Sequence, residues 1–296
     1  MVMVGSSVAA ASLLTVYPVL SGQAARYATA AAVLWVFTRA RGQRLPPLTR
    51  RDAGWLFAVA LFGLSGFNYV LIEATARVDP SMVGAVLGAT PIALAILGPL
   101  QDRRPIAART VGAAVAVTAG VVLVQRATGP LDPIGLALAL LVLVGEAGFA
   151  LFAVPPLRRI GPVGVSFHAT WIGAVQLGFA AMVLERGILR LPTLTEAAAL
   201  AHMALLVTVV AFVAWYGAIS RLDADRAGLF LGLVPVTALI TSALVGTATV
   251  SAATVGGCVI VAIAVAAGAA RRPAGTPPPA AGDHSIGHRS PTTQQA

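Results

Sequence analysis

The sequence predicts an all-α membrane protein, a polytopic bundle of ten transmembrane helices in two inverted five-helix repeats, with the first helix shortened. Three observations predict it. Hydrophobic residues fill 58% of 296 positions and charged residues only 10%, against the roughly 25% charge that keeps a soluble domain in solution. The charges fall in short intervals between apolar runs of about 17 to 23 residues. That is the length of helix that crosses hydrocarbon at about 1.5 Å per residue. Finally, residues 74–121 align without a gap on residues 218–265 at an offset of 144, with sixteen of 48 pairs identical.

The runs place spans at 1–16, 22–38, 54–76, 81–100, 107–124, 132–154, 164–184, 197–219, 226–246 and 252–270. Neither a basic leader nor a polar spacer precedes the first run in this sequence, so a cleavable signal is not expected there. The offset pairs Met1 with Gly145, so the first half has nothing to match Pro133–Val144. The first span is therefore clipped to about 24 Å of helix against a core of about 30 Å, and the true start is expected upstream; a native mass beginning at Met1 would overturn that. The second run ends at Arg39, Arg41 and Arg44, followed by Pro46-Pro47; the third lies between Arg51 and Arg77. Arg103, Arg104 and Pro105 close the fourth, and Arg126 with Gly129-Pro130 the fifth. Pro155-Pro156, Arg158 and Arg159 follow the sixth, and Gly161-Pro162 precedes the seventh. Arg186 and Arg190 lie after the seventh, Arg221 and Arg226 between the eighth and ninth, and Arg271 and Arg272 after the tenth.

Alternate loops divide the arginines unevenly. One set holds Arg39, Arg41, Arg44, Arg50, Arg51, Arg103, Arg104, Arg109, Arg158, Arg159, Arg221 and Arg226; the other holds Arg77, Arg126, Arg186 and Arg190. The positive-inside rule puts both termini in the cytoplasm of a multi-pass cell-membrane protein. Five spans per half then invert the second repeat, giving units 1–127 and 128–271 and a disordered cytoplasmic tail, 272–296, rich in Pro, Gly, Ser and Thr. The net charge of +9 comes from twenty Arg and no Lys at the ends of apolar runs, a topology signal and no nucleic-acid footprint. Cys258 is the only cysteine, which excludes a disulfide or cysteine metal site within one chain. His284 and His288 in the tail read as incidental, so neither metal nor cofactor is expected.

Two segments carry a resemblance. VDPSMVGAVLGATPIALAILGPL with TVGAAVAVTAGVVLV, and LDADRAGLFLGLVPVTALITSAL with TVGGCVIVAIAVAAG, resemble the paired helices of EamA-type transporters of the drug/metabolite transporter superfamily. The resemblance runs over about residues 1 to 270. It implies ten helices, inverted five-helix halves and movement of small metabolites, often export. The family often carries Leu-Gly-Glu at the ends of its fourth and ninth helices, where this chain has Leu100-Gln101-Asp102 and Val245-Gly246-Thr247.

The repeated residues have physical roles open to two readings. Gly84-x-x-x-Gly88 and Gly228-x-x-x-Gly232 put two glycines on one helix face, which suits close helix packing or a cavity wall. Pro91 and Pro235 free the carbonyls of Leu87 and Leu231, for a kink that packs or for a bent pair around a central site. Glu146 lies well inside the sixth span, where a charged group faces a cavity or a partner and can take up and release a proton. His168 is its candidate proton partner, with His202 a weaker one. Asn68 lines the cavity or bonds a neighbour, and Gln176 is a possible polar contact. Trp171, Trp215 and Tyr216 bound the substrate volume or serve as belt aromatics. Glu73 sits at the headgroups beside Arg77 or acts as a gate, and Arg26 draws in anionic groups or snorkels.

The expected function is a secondary transporter of a small metabolite working by alternating access. A GxxxxGK[ST] loop is missing, and so are H-E-x-x-H, D-x-x-D and G-x-S-x-G. Those absences disfavour the alternatives of an ATP-driven pump and of a membrane enzyme on a lipid-linked substrate; a non-transporting scaffold or sensor is the third reading. The partners expected are a small-molecule substrate and the lipid bilayer, with no nucleic acid, and the sequence does not choose between a monomer and a homodimer.

Overall fold

The structure, a computed structural model, describes residues 3, 7, 10, 12–14, 16–42, 45–125, 132–185, 190–244 and 251–269. Most of the first expected span lies outside these residues. So do Arg44, Arg126, Arg186, the Val245-Gly246-Thr247 segment, Arg271, Arg272 and the tail with His284 and His288. All regular structure among the described residues is helical. In chain order it comprises α1 (Val19–Ala40), α2 (Arg50–Thr75), α3 (Pro80–Gln101), α4 (Ala108–Gln125), α5 (Pro133–Leu151), α6 (Val154–Leu184), α7 (194–222), α8 (224–244) and α9 (Ala252–Ala269). Among the described residues, seven helices are long and apolar enough to cross a membrane, with α7 and most of α8 counted as one, Leu194–Ile240.

Polar caps set several helix starts ahead of the apolar runs. Thr49 accepts the Asp52 amide at 3.1 Å while Asp52 accepts the Thr49 amide at 3.1 Å, a reciprocal box that opens α2. Thr193 and Glu196 repeat it at the start of α7, at 3.3 and 2.8 Å. Each acid is also held by an arginine, Asp52 by Arg159 and Glu196 by Arg190. Both helices then widen into π-helical turns, Leu61–Ser65 in α2 and Met203–Val210 in α7. In each, a hydroxyl reaches a carbonyl five residues back: Ser65 to Ala60 at 3.2 Å and Thr208 to Met203 at 3.0 Å.

Several elements recur at the sequence offset of 144. Arg50 and Leu194 begin α2 and α7, and α4 and α9 share both bounds, Ala108–Gln125 and Ala252–Ala269. The proline helices break at matched places. α3 turns at Gly88-Ala89, and α8 passes through a 3-10 turn at Phe230–Gly232. Two helix junctions are a single residue long. Gly161 (φ 70°, ψ 175°) interrupts α6, and Asp223 (φ 66°, ψ 163°) separates α7 from α8. These angles belong to a region almost reserved for glycine.

Without a hydrophobic drive between helices in lipid, close approach must hold the bundle. α4 and α9 cross so tightly that a Cβ on Gly257 would stand 2.7 Å from the Gly120 carbonyl oxygen. A Cβ on Gly88 would lie 2.6 Å from Val121 Cγ1, and one on Gly228 would lie 2.8 Å from Leu94 Cδ1. Gly84 is pressed by Gln125 and Gly232 by Val117. All four glycines of the repeated motif thus face a side chain of a neighbouring helix. The core around α2, α5, α6 and α7 is sealed by Leu56, Leu64, Leu177 and Tyr216, all fully buried.

Candidate functional site

Helices α1, α2, α5 and α7 bring polar groups together inside this core. Asn68 follows the π turn of α2; its amide donates to the Leu64 carbonyl at 2.6 Å and reaches the Tyr27 hydroxyl of α1 at 3.4 Å. Tyr216 of α7, completely buried, donates to the Phe149 carbonyl of α5 at 3.4 Å. Glu146, one turn before Phe149, interacts electrostatically with Tyr216, as does Tyr27. The Glu146 carboxylate makes no ion pair with a described residue within 4.0 Å. Phe212 lies among these groups, its ring centroid 5.0 Å from Phe149 and 6.4 Å from both Tyr27 and Tyr216.

The two π turns each present a hydroxyl to a long side chain of the opposite half. Thr208 accepts from Arg26 Nε at 2.8 Å, and Ser65 donates to Gln176 Oε1 at 2.6 Å. Arg26 also donates from Nη1 to Gln23 at 3.1 Å and lies 5.0 Å from the Tyr27 ring centroid. It is 8% exposed, so it is held inside the protein and does not snorkel.

Charges close the two ends of the bundle. At the end holding the α6 and α7 junctions, Arg104 reaches Asp225 at 3.2 Å, Asp102 at 3.4 Å and Asp223 at 3.7 Å, and Arg158 reaches Asp102 at 2.7 Å. Partial burial works against the Arg104 charge, but the hydrogen bond to Asp225 and the attraction of the three aspartates outweigh it and raise its pKa. A cleft of about 250 Å³ opens beside this network, lined by Asp102, Arg158, Ser220 and Asp223. At the other end Glu185 accepts from the amides of Leu20 (2.7 Å) and Ser21 (2.9 Å), capping α1 from the end of α6. A larger groove of about 320 Å³ between α1 and α6 is walled by Ala24, Ala28, Ala174 and Gly178 and holds none of the polar cluster.

Of the expected site residues, Asn68, Glu146 and Tyr216 come together with Tyr27, and Gln176 joins Ser65 one layer away. Trp215 is buried with its indole N–H unpartnered among the described residues. His168 does not pair with Glu146: its Nδ1 accepts from Trp171 Nε1 at 2.9 Å, and Trp171 is 40% exposed. Pro91 is buried, and the carbonyl of Leu87 is claimed by the Thr90 hydroxyl at 2.7 Å. Leu231 packs on the central core, and Pro235 lies within α8. Glu73 makes no ion pair with Arg77, and His202 ends the first stretch of α7. Sequence reasoning missed Tyr27, Ser65 and Thr208. The signal lay in Gln23 and Arg26, two polar residues three apart in an otherwise apolar run and therefore on one helix face.

Residues 1–126 and 133–267 match the EamA-like transporter family, nearly the whole chain. The chain belongs to the EamA-like transporter family. It is therefore a multi-pass membrane protein of a transporter family. Among its relatives, the uncharacterized transporter YetK of Bacillus subtilis (strain 168) is 26% identical over 252 residues, 82% of this chain and 76% of YetK. The uncharacterized transporter YyaM of the same organism is 24% identical over 229 residues, 75% of each chain. An uncharacterized transporter of Archaeoglobus fulgidus is 23% identical over 191 residues, 64% of this chain and 68% of its own. A protein of known crystal structure superposes with a TM-score of 0.78 at 18% identity, covering 90% of this chain and 92% of that one; that likeness speaks to the fold of this EamA-like chain.

Proposed function

We propose that this chain is a secondary transporter that moves a small metabolite, amino-acid-like or drug-like, across the cytoplasmic membrane by alternating access. Export is the direction the family resemblance implies. In this reading ten helices form two inverted repeats, 1–127 and 128–271, with both termini and the 272–296 tail in the cytoplasm. The 144-residue recurrence of α2 with α7 and of α4 with α9 supports the duplication. The gathering of Arg104, Arg158 and Arg159 at one end of the bundle supports that end as cytoplasmic.

The observation that carries the proposal is the polar cluster of Tyr27, Asn68, Glu146 and Tyr216 inside the apolar bundle. Ionisable groups at such depth are costly and mark transport pathways and proton relays. No described arginine lies within 4.0 Å of Glu146, so it exchanges a proton as the pathway opens, which couples transport to a pH gradient. Exchange of radiolabelled amino acids, nucleosides and cationic drugs into liposomes holding the purified protein tests the reading. Flux of one class that depends on an imposed pH gradient, with the dependence lost in Glu146→Gln, is the expected result. Unchanged pH dependence in that variant removes the coupling role, and no flux of any class removes the transporter.

A further inference from the structure

Four arginines of this chain that lie at the bundle ends have carboxylate partners: Arg104, Arg158, Arg159 and Arg190. Arg26 is different. It sits about 10 Å along α1 from Val19, counted at about 1.5 Å per residue, and is 8% exposed. None of the described carboxylates lies within 4.0 Å of it. The chain has eleven acidic residues, and Asp283 in the tail is the only one outside the described residues. The hydrogen-bond partners of Arg26, Thr208 and Gln23, are neutral, and its guanidinium carbon lies over the Tyr27 ring, 5.0 Å from the centroid. Nη2 makes no hydrogen bond to any described residue.

A guanidinium removed from water with only neutral partners is costly to keep charged. Arginine does not lose its proton to escape that cost. The state that satisfies it is one with an anion beside it. The planar fork of the guanidinium matches a carboxylate with two parallel hydrogen bonds. Thr208, itself anchored on the Met203 carbonyl, holds Nε, and Gln23 takes one of the two Nη1 hydrogens, which leaves the other Nη1 hydrogen and Nη2 for the ligand. Beside it Tyr27, Phe212, Phe149 and Tyr216 form an aromatic wall, suited to the apolar remainder of such a molecule.

We infer that Arg26 is a binding site for the carboxylate of an otherwise apolar organic anion, the substrate class of the pathway proposed above. The inference rests on that reading. Thermal unfolding of the purified full chain with benzoate and with its neutral counterpart benzamide tests it, using wild type, Arg26→Gln, Arg26→Lys and the helix-end control Arg39→Gln. Benzoate raises the melting temperature of wild type and of Arg39→Gln, and benzamide does not. Arg26→Gln binds benzoate about tenfold or more weakly, the range expected for losing a hydrogen bond to a charged group, and Arg26→Lys falls between. Arg26→Gln without ligand melts no lower than wild type, because an unpaired buried charge is gone. No benzoate shift in wild type, an equal shift with benzamide, or an undiminished shift in Arg26→Gln each overturns the site. Flux of neutral or cationic solutes into liposomes, equal in wild type and Arg26→Gln, overturns the anion site while leaving the transporter standing.

Discussion

The crossing of α4 and α9 permits a sharp test, because adjacent glycines there face opposite surroundings. A Cβ on Gly257 would lie 2.7 Å from the Gly120 oxygen, 2.8 Å from Val124 Cγ2 and 3.0 Å from the Val124 nitrogen, whereas a Cβ on Gly256 meets nothing within 4 Å. Ordinary contact begins near 3.4 Å, so Gly257→Ala must push the helices apart by about 0.7 Å at this point. Two of the atoms in the way belong to backbone and cannot rotate aside. Both substitutions bring the same helix-propensity gain, of up to about 1 kcal/mol. That gain cancels in the comparison, leaving the overpacking cost of about 1–3 kcal/mol. At about 2–4 °C per kcal/mol, Gly257→Ala should melt on the order of 2–12 °C below Gly256→Ala in the same detergent. If Gly257→Ala melts level with or above Gly256→Ala, the backbone-to-backbone crossing described here is wrong.

Three further outcomes follow from the helix junctions and caps. Gly161→Ala places a side chain at φ 70° with nothing within 4 Å to clash, so its loss of about 1–3 kcal/mol, read as a lower melting temperature, is backbone strain alone. Arg104→Gln leaves Asp225, 4% exposed, without its cation and lowers stability by about 1–3 kcal/mol; Arg103→Gln, outside the network, does not. The hydroxyl and amide of Ser81 hold the Asp79 carboxyl below the usual aspartate range. This cap is in place above the ordinary aspartate value and fades as the pH falls through the lowered one; Asp79→Asn removes that pH dependence from the melting profile.

Helix positions were legible wherever apolar length alone decides them. The runs at 107–124 and 252–270 coincide with α4 and α9 to within a residue, because lipid sets their length and arginine or polar turns stop them. The runs at 54 and 197 began late, because Thr49-Asp52 and Thr193-Glu196 continue the helix through polar residues that hydropathy assigns to loops. The π turns were invisible, since one extra residue per turn leaves no compositional trace. The site was legible in part. Depth pointed to Glu146 and Asn68, but depth says nothing of azimuth, and azimuth gives His168 to Trp171 rather than to Glu146. For Arg26 the sequence left two readings, drawing in anionic groups or snorkelling; its distance from the helix end suited the second, and only the facing π turn of α7, 182 residues away, shows what holds it.

The single-residue junctions at Gly161 and Asp223 leave no slack between the helices they join. A hinge of one residue transmits tilt as a crank does: rotation of α7 must drag the start of α8, and the short arm 154–160 must swing with the rest of α6. Tethering Asp223 to Arg104 therefore does more than fasten a loop. It brings the junctions of α6 and of α7 with α8 to the same ion cluster that closes the end of α3, so one group of charge contacts at the rim fixes where these helices meet.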